Sequence, residues 1–113
     1  MSSSLSHSKI AIMQHNTNRT SNIMQSCLQS ALELSIDFVL IQEPWIEYEN
    51  NIAYSITHPS YYCILPENSQ NIRPRVAIYA RKQSKYQFFH RTDMTKDSDI
   101  IVIDVSDSDI DTF

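Results

Sequence analysis

KIAIMQHNTNRTSNIMQSCLQSALELSIDFVLIQEPW, running from Lys9 to Trp45, holds the pattern from which the fold is read. It opens with a short apolar run, Lys9 to Gln14, whose Ile10 and Ile12 suit a strand. His15 to Arg19 is a polar turn, and Thr20 or Ser21 stands where a helix cap belongs. Ile23, Cys27, Ala31 and Leu34 then recur at helical spacing, with Met24, Leu28 and Leu32 beside them. That apolar stripe is wide enough to pack a helix on a sheet, and the helix is expected to end near Ser35. Asp37 to Gln42 is a continuous apolar run, as in a strand buried on both faces. Pro44 cannot donate to a ladder, so Glu43-Pro44-Trp45 closes that strand. Strand, helix and strand at this spacing predict a βαβ unit with parallel strands and a right-handed crossover.

Outward from this unit the signals change. Residues 46–60 lack periodicity and read as a loop. Tyr61 to Leu65 is a short strand candidate, and Pro66 to Pro74 a polar turn. Arg75 to Arg81 alternates as a strand does, and Tyr86 to His90 and Asp99 to Val105 are two more strand candidates. Short turns between these later strands predict antiparallel pairing. The reading is thus α/β, an opening βαβ followed by antiparallel strands, with residues 1–8 as a disordered tail.

At 113 residues the chain suits one small domain. Hydrophobic residues are 42% of it, which excludes wholesale disorder. The formal net charge of −4 argues against a dedicated nucleic-acid coat protein. Seven of the nine Lys and Arg residues nevertheless lie between Arg73 and Lys96, and the stretch from Asp97 onward is acidic. The basic segment either faces phosphate or forms solvated strand faces. Cys27 and Cys63 form no CxxC, so no disulfide framework is implied and a reduced, intracellular setting is expected. The Ser-rich start lacks the apolar segment of a secretory signal, and no run is long enough to span a membrane. Glycine is absent, so Asn and Asp are expected wherever the backbone needs positive φ.

In an open α/β sheet, function gathers beyond the C-terminal ends of the parallel strands. Asn16 follows the first strand and Glu43 ends the second, so neighbouring strands bring the two to one rim. A hard cation such as Mg²⁺ takes oxygen ligands and needs only one or two protein carboxylates, the rest being water and substrate phosphate. Glu43 offers a carboxylate and Asn16 an amide oxygen. By position alone, a surface glutamate and a turn asparagine are the better account of the pair, since polar residues at strand ends are common.

The run IAIMQHNTNR, a helix, and then DFVLIQEPW resembles the opening of the endonuclease/exonuclease/phosphatase family, most closely the endonuclease domain of non-LTR (LINE-type) retrotransposons. The matching residues are Asn16, Asn18, Gln42, Glu43 and Pro44, and RPRVAIYARK and DIIVIDV resemble the family's next two strands. The resemblance runs from about Lys9 to Val105. It implies that Glu43 is the carboxylate on Mg²⁺ (or Mn²⁺) and that Asn16 helps hold the metal constellation. It further implies that Gln42 sets the strand end, that Trp45 packs under the site, and that Asn18 shapes the turn. It implies DNA as partner, and a nuclear location if the retrotransposon reading holds. It also implies that residues 9–105 are the N-terminal half of a two-sheet α/β sandwich. Residues 106–113 then form an acidic tail at a truncation point, and the C-terminal half of the domain is missing.

The family's later elements, a catalytic Tyr, an Asp-x-Asn element and a closing Asp-His pair, have no counterpart here. Asp107, Asp109 and Asp111 lack the Asn and the strand context, and His7, His15, His58 and His90 are not placed as the family's His. The polypeptide alone is therefore expected to be inactive. The His and Cys residues lack zinc-ligand spacing, which argues against a zinc site. A receiver domain needs an acidic pair where His15-Asn16 stands, and a flavodoxin-type domain needs a better phosphate loop than Arg19-Thr20-Ser21. The alternative of another class is a non-catalytic α/β interaction module, or a decayed remnant without activity.

Overall fold

The computed structural model describes residues 9–67 and 72–108. The expected tail at residues 1–8 and the last part of the expected acidic tail, residues 109–113, lie outside them. Strand β1 (Ile12–Asn16) pairs in parallel with β2 (Phe38–Gln42), and helix α1 (Ser21–Glu33) connects them. β1 begins at Ile12 rather than Lys9, and the Ala11 N–H goes to a side chain instead of a neighbouring strand. That N–H donates to Asp37 Oδ2 at 2.9 Å, and the Ala11 carbonyl accepts from Asp37 N at 2.9 Å and Phe38 N at 3.2 Å. The strand then runs on through His15 and Asn16, which the sequence assigned to a turn.

Thr20 is the N-cap of α1 in extended conformation, but its hydroxyl donates to the Asn18 carbonyl oxygen instead of capping a helix N–H. The C-terminus closes as a Schellman motif. Ser35 N donates to Leu32 O at 3.1 Å and Ile36 N to Ala31 O at 2.9 Å, with Ser35 in the left-handed region at φ 57°. Met24, Cys27, Leu28 and Ala31 form the buried face of the helix, whereas Ile23 and Leu34 are 39% and 65% exposed. The stripe is therefore centred on Met24 and Leu28.

The segment expected as a loop contains a hairpin, β3 (Glu47–Glu49) and β4 (Ile52–Tyr54). Its turn is Asn50-Asn51, both at positive φ (52° and 64°), as a two-residue type I′ turn requires. β5 (Tyr61–Ile64) and β6 (Val76–Arg81) pair antiparallel, and β6 also pairs antiparallel with β2. The sheet order is β1-β2-β6-β5. β7 (Tyr86–His90) and β8 (Ile103–Asp107) form a separate antiparallel hairpin. β8 starts later than expected and includes Ser106 and Asp107, which the sequence reading had placed in the acidic tail.

The sheet has two unequal faces. Val39, Ile41, Ala77 and Tyr79 pack with α1 in the main core. Tyr79 is fully buried and donates from its hydroxyl to Ile56 O at 2.5 Å. On the other face Phe38, Ile64, Ile78 and Ala80 meet Tyr86 and Phe88 of β7 and Ile103 of β8. This cover is partial. An open apolar groove of about 370 Å³ runs between β1 and β8, with Ile10, Ile12 and Val105 exposed on its walls (41%, 58% and 39%).

Most of the basic segment is paired with acids. Arg81 bonds Asp37 at 3.0 Å, Lys85 meets Asp107 at 3.2 Å, Arg91 holds Asp93 and Asp104 at 2.9 Å each, and Lys96 meets Glu67. Lys82 lies over the Tyr62 ring, 5.2 Å from its centroid. No helix among the described residues is long and apolar enough to cross a membrane.

Candidate functional site

β1 and β2 run in the same direction, so their C-terminal ends share a rim. Asn16 pairs with Gln42, the last residue of β2, and Glu43 follows directly. β6 runs the other way, so its beginning reaches the same rim, with Val76 opposite Gln42. Asn16, Gln42, Glu43, Arg75, Val76 and Asp99 line one open cleft there, about 370 Å³ in volume. The two residues singled out from sequence are therefore neighbours across a parallel ladder, with no strand between them.

Backbone strain is concentrated at this rim. Asn18, Arg19 and Glu43 all have positive φ, at 51°, 56° and 51°. Asparagine tolerates that region, but arginine and glutamate enter it at a cost of about 1 kcal/mol or more each. The surrounding bonds hold them there. Thr17, fully buried, donates from N to Gln42 O at 2.9 Å and from Oγ1 to Glu43 O at 2.9 Å, and Arg19 N donates to Glu43 O at 2.7 Å. The Glu43 carbonyl is thus turned into the loop after β1, and its side chain is carried to the cleft. Glycine's absence was expected to shift positive φ onto Asn and Asp. Asn18, Asn50 and Asn51 fit that expectation, but Arg19, Ser35 and Glu43 do not, and no described Asp has positive φ.

The Glu43 carboxylate accepts from Arg19 Nε at 2.8 Å on Oε2 and from Arg75 Nε at 3.2 Å on Oε1. The Arg19 hydrogen bond, aided by that from Arg75, holds its carboxyl below the usual carboxylate range despite some desolvation. Glu43 is thus an anion at neutral pH. Asn16 Oδ1 accepts from Asn18 N at 2.9 Å, an Asx turn that leaves an oxygen lone pair available. Asn18 takes a left-handed position in this turn, at φ 51°. Arg75 extends the cluster to Asp99, with Nη1 4.0 Å from Oδ2. Trp45 packs against the helix-side core, edge-on to Tyr54 with centroids 6.3 Å apart.

No family model matches the chain, and neither a curated protein nor a solved structure matches it.

The donor set at the rim is one carboxylate and one amide oxygen, with the Asp99 carboxylate on the same cleft. These are hard oxygen donors, which fit Mg²⁺ or Mn²⁺ with water completing the shell. Among the described residues no three or more His, Cys, Asp or Glu groups are gathered to hold a metal, so protein ligation here is sparse. No His or Tyr lines the cleft.

Arg19, Arg75 and Asp99 were not singled out as site residues. Arg75 stands at the head of an evident strand, but only the antiparallel pairing of β6 with β2 brings that end to the Asn16–Glu43 rim. Asp99 was read as part of a strand. It instead sits in the turn before β8, with its N–H bonded to Asp97 Oδ1 at 2.8 Å. The clustering of Lys and Arg after Arg73 was the one available signal.

Proposed function

We propose that this chain is the metal-anchoring part of a divalent-metal-dependent phosphodiesterase, of the kind found in the endonuclease/exonuclease/phosphatase family and closest to a LINE-type retrotransposon endonuclease. The observation that carries the reading is the strained, charged Glu43 delivered beside Asn16 on one rim of the parallel strands. A glutamate held in the left-handed region by fixed bonds points to a side chain placed at the rim for its chemistry. The resemblance supplies the rest: DNA as substrate and a nuclear setting.

In this reading Glu43 and Asn16 hold Mg²⁺ or Mn²⁺. The cation supplies electrostatic stabilisation of charge on a phosphoryl oxygen and on the leaving oxygen. Arg19 and Arg75 keep the Glu43 carboxylate ionised and aimed. The described lining of the cleft contains no His or Tyr, and the reading carries the expectation that this polypeptide alone is inactive.

The test is cation binding by Tb³⁺ luminescence or Mn²⁺ paramagnetic resonance on the wild type, Glu43→Gln and Asn16→Ala. Glu43→Gln is expected to weaken binding at least tenfold and Asn16→Ala by less. Binding unchanged in Glu43→Gln overturns the reading. A supercoiled-plasmid nicking assay with Mg²⁺ is expected to show no cleavage above background.

A non-catalytic α/β interaction module is the second reading. It is favoured by both Glu43 oxygens already accepting hydrogen bonds from guanidinium groups, and by the open apolar groove. It requires no cation, so the same binding experiment separates the two.

A further inference from the structure

Resting on the phosphodiesterase reading, we propose that Arg75 is the residue that binds the phosphate of the phosphodiester, and that Glu43 and Asp99 hold it ready until substrate arrives. Its backbone is fixed at the cleft on both sides: Arg75 N donates to Ser98 O at 3.3 Å, and Arg75 O accepts from Glu43 N at 3.0 Å. Its side chain is 58% exposed and lines the cleft. Arg75 is also the loosely held cation of the cleft lining; Arg73, on the Ile46 carbonyl at 3.4 Å, and Lys82, over the Tyr62 ring, do not line it. The single side-chain hydrogen bond of Arg75 among the described residues, to Glu43, is 3.2 Å long, and its approach to Asp99 is 4.0 Å. Arg81 and Arg91 are committed to carboxylates by bonds of 2.9 to 3.0 Å. A guanidinium has five N–H donors in a planar fork, so one used on Glu43 leaves most of the fork for a phosphate.

The energetics favour the exchange. An exposed ion pair of this kind contributes little, so moving Arg75 off Glu43 costs little. A bidentate guanidinium–phosphate pair is stronger. Glu43 is not stranded by the move, because Arg19 stays on its other oxygen at the shorter distance of 2.8 Å. The formal charges of Arg19, Arg75, Glu43 and Asp99 cancel, so a divalent cation at Glu43 leaves the cleft positive and receptive to a phosphodiester. Arg19 lies outside the cleft lining and acts on Glu43 alone.

The test is fluorescence anisotropy of a labelled DNA duplex titrated with the full chain in Ca²⁺ at low salt. Arg75→Ala and Arg75→Lys are compared with Lys82→Ala, a charge-matched loss away from the cleft. Arg75→Ala is expected to weaken binding about tenfold beyond Lys82→Ala, and to lower the slope of log K against log salt by about one. Arg75→Lys is expected to fall between, keeping charge but losing the fork. Arg75→Ala indistinguishable from Lys82→Ala, or no binding by the wild type, overturns the proposal. Tb³⁺ luminescence on the same variants separates this from the parent reading. If Tb³⁺ binding depends on Glu43 while Arg75→Ala behaves like Lys82→Ala, only the Arg75 assignment fails. If Tb³⁺ does not bind but Arg75→Ala still loses DNA selectively, the metal reading fails and the phosphate assignment stands.

Discussion

Arg75 and Glu43 are joined twice: Arg75 Nε donates to Glu43 Oε1 at 3.2 Å, and Glu43 N donates back to the Arg75 carbonyl oxygen at 3.0 Å. The backbone bond extends the β2–β6 ladder one step beyond Gln42 and Val76. It ties the strained residue that follows β2 to the arginine that precedes β6. The side-chain bond rides on that frame and is the replaceable one, since both groups face solvent while the backbone pair is part of the sheet.

Strain and chemistry at Glu43 separate cleanly under mutation. Glu43→Gly removes the left-handed penalty of about 1 kcal/mol or more and forfeits two exposed ion pairs that contribute at most about that much. Glycine also adds freedom to the unfolded chain, worth roughly 0.5–1 kcal/mol. The melting temperature of Glu43→Gly is therefore expected to stay within roughly 5 °C of wild type while Tb³⁺ binding is lost. A fall well beyond that, followed by circular dichroism, would show that the carboxylate serves the fold.

Ser35 occupies the Schellman position that glycine usually fills, at φ 57°. Ser35→Gly is expected to raise stability by about 0.5 kcal/mol, the relief of the Cβ clash less the added unfolded-state entropy. The urea midpoint should rise with an unchanged slope.

Asp37 is the buried anion of the described structure. It accepts from Ala11 N at 2.9 Å, Arg81 Nη2 at 3.0 Å and Ser84 Oγ at 2.8 Å. Burial alone raises its pKa, but the bonds from Ala11, Ser84 and Arg81 outweigh it and leave the carboxyl below its ordinary value. A depressed folded pKa means the stabilisation is complete above the ordinary carboxylate range and is lost as pH falls through the lower, folded value. Urea midpoints measured across acidic pH should decline in wild type, with a shallower decline in Asp37→Asn. Asp37→Ala, which strands Arg81 and the Ala11 N–H, is expected to cost about 3 kcal/mol at neutral pH.

The apolar groove bounded by β1 and β8 predicts self-association. Exposed apolar surface of this kind drives aggregation unless something covers it. Ile12→Lys combined with Val105→Lys is expected to reduce light scattering at high concentration without lowering the melting temperature, since both side chains are already exposed. A wild-type sample that stays monomeric at that concentration would count against the open face.

The sequence by itself determined the strand–helix–strand opening, the strands near Tyr61, Val76 and Tyr86, and the placing of Asn16 and Glu43 at one rim. Those follow from local periodicity and from the rule that a βαβ unit aligns its strand ends. The β3–β4 hairpin escaped because its turn is Asn50-Asn51, without the glycine that usually marks a type I′ turn. The late start of β8 escaped because the Asp97 and Asp99 turn is polar only in part and merges with an apolar run.

The tertiary structure alone decided which residues surround Glu43. Arg19 arrives through a left-handed turn that no propensity favours, Arg75 through the antiparallel placement of β6 beside β2, and Asp99 through the turn that precedes β8. Such contacts depend on which distant segments become neighbours; a strand's own hydrophobic pattern fixes which face it buries but does not name its partner.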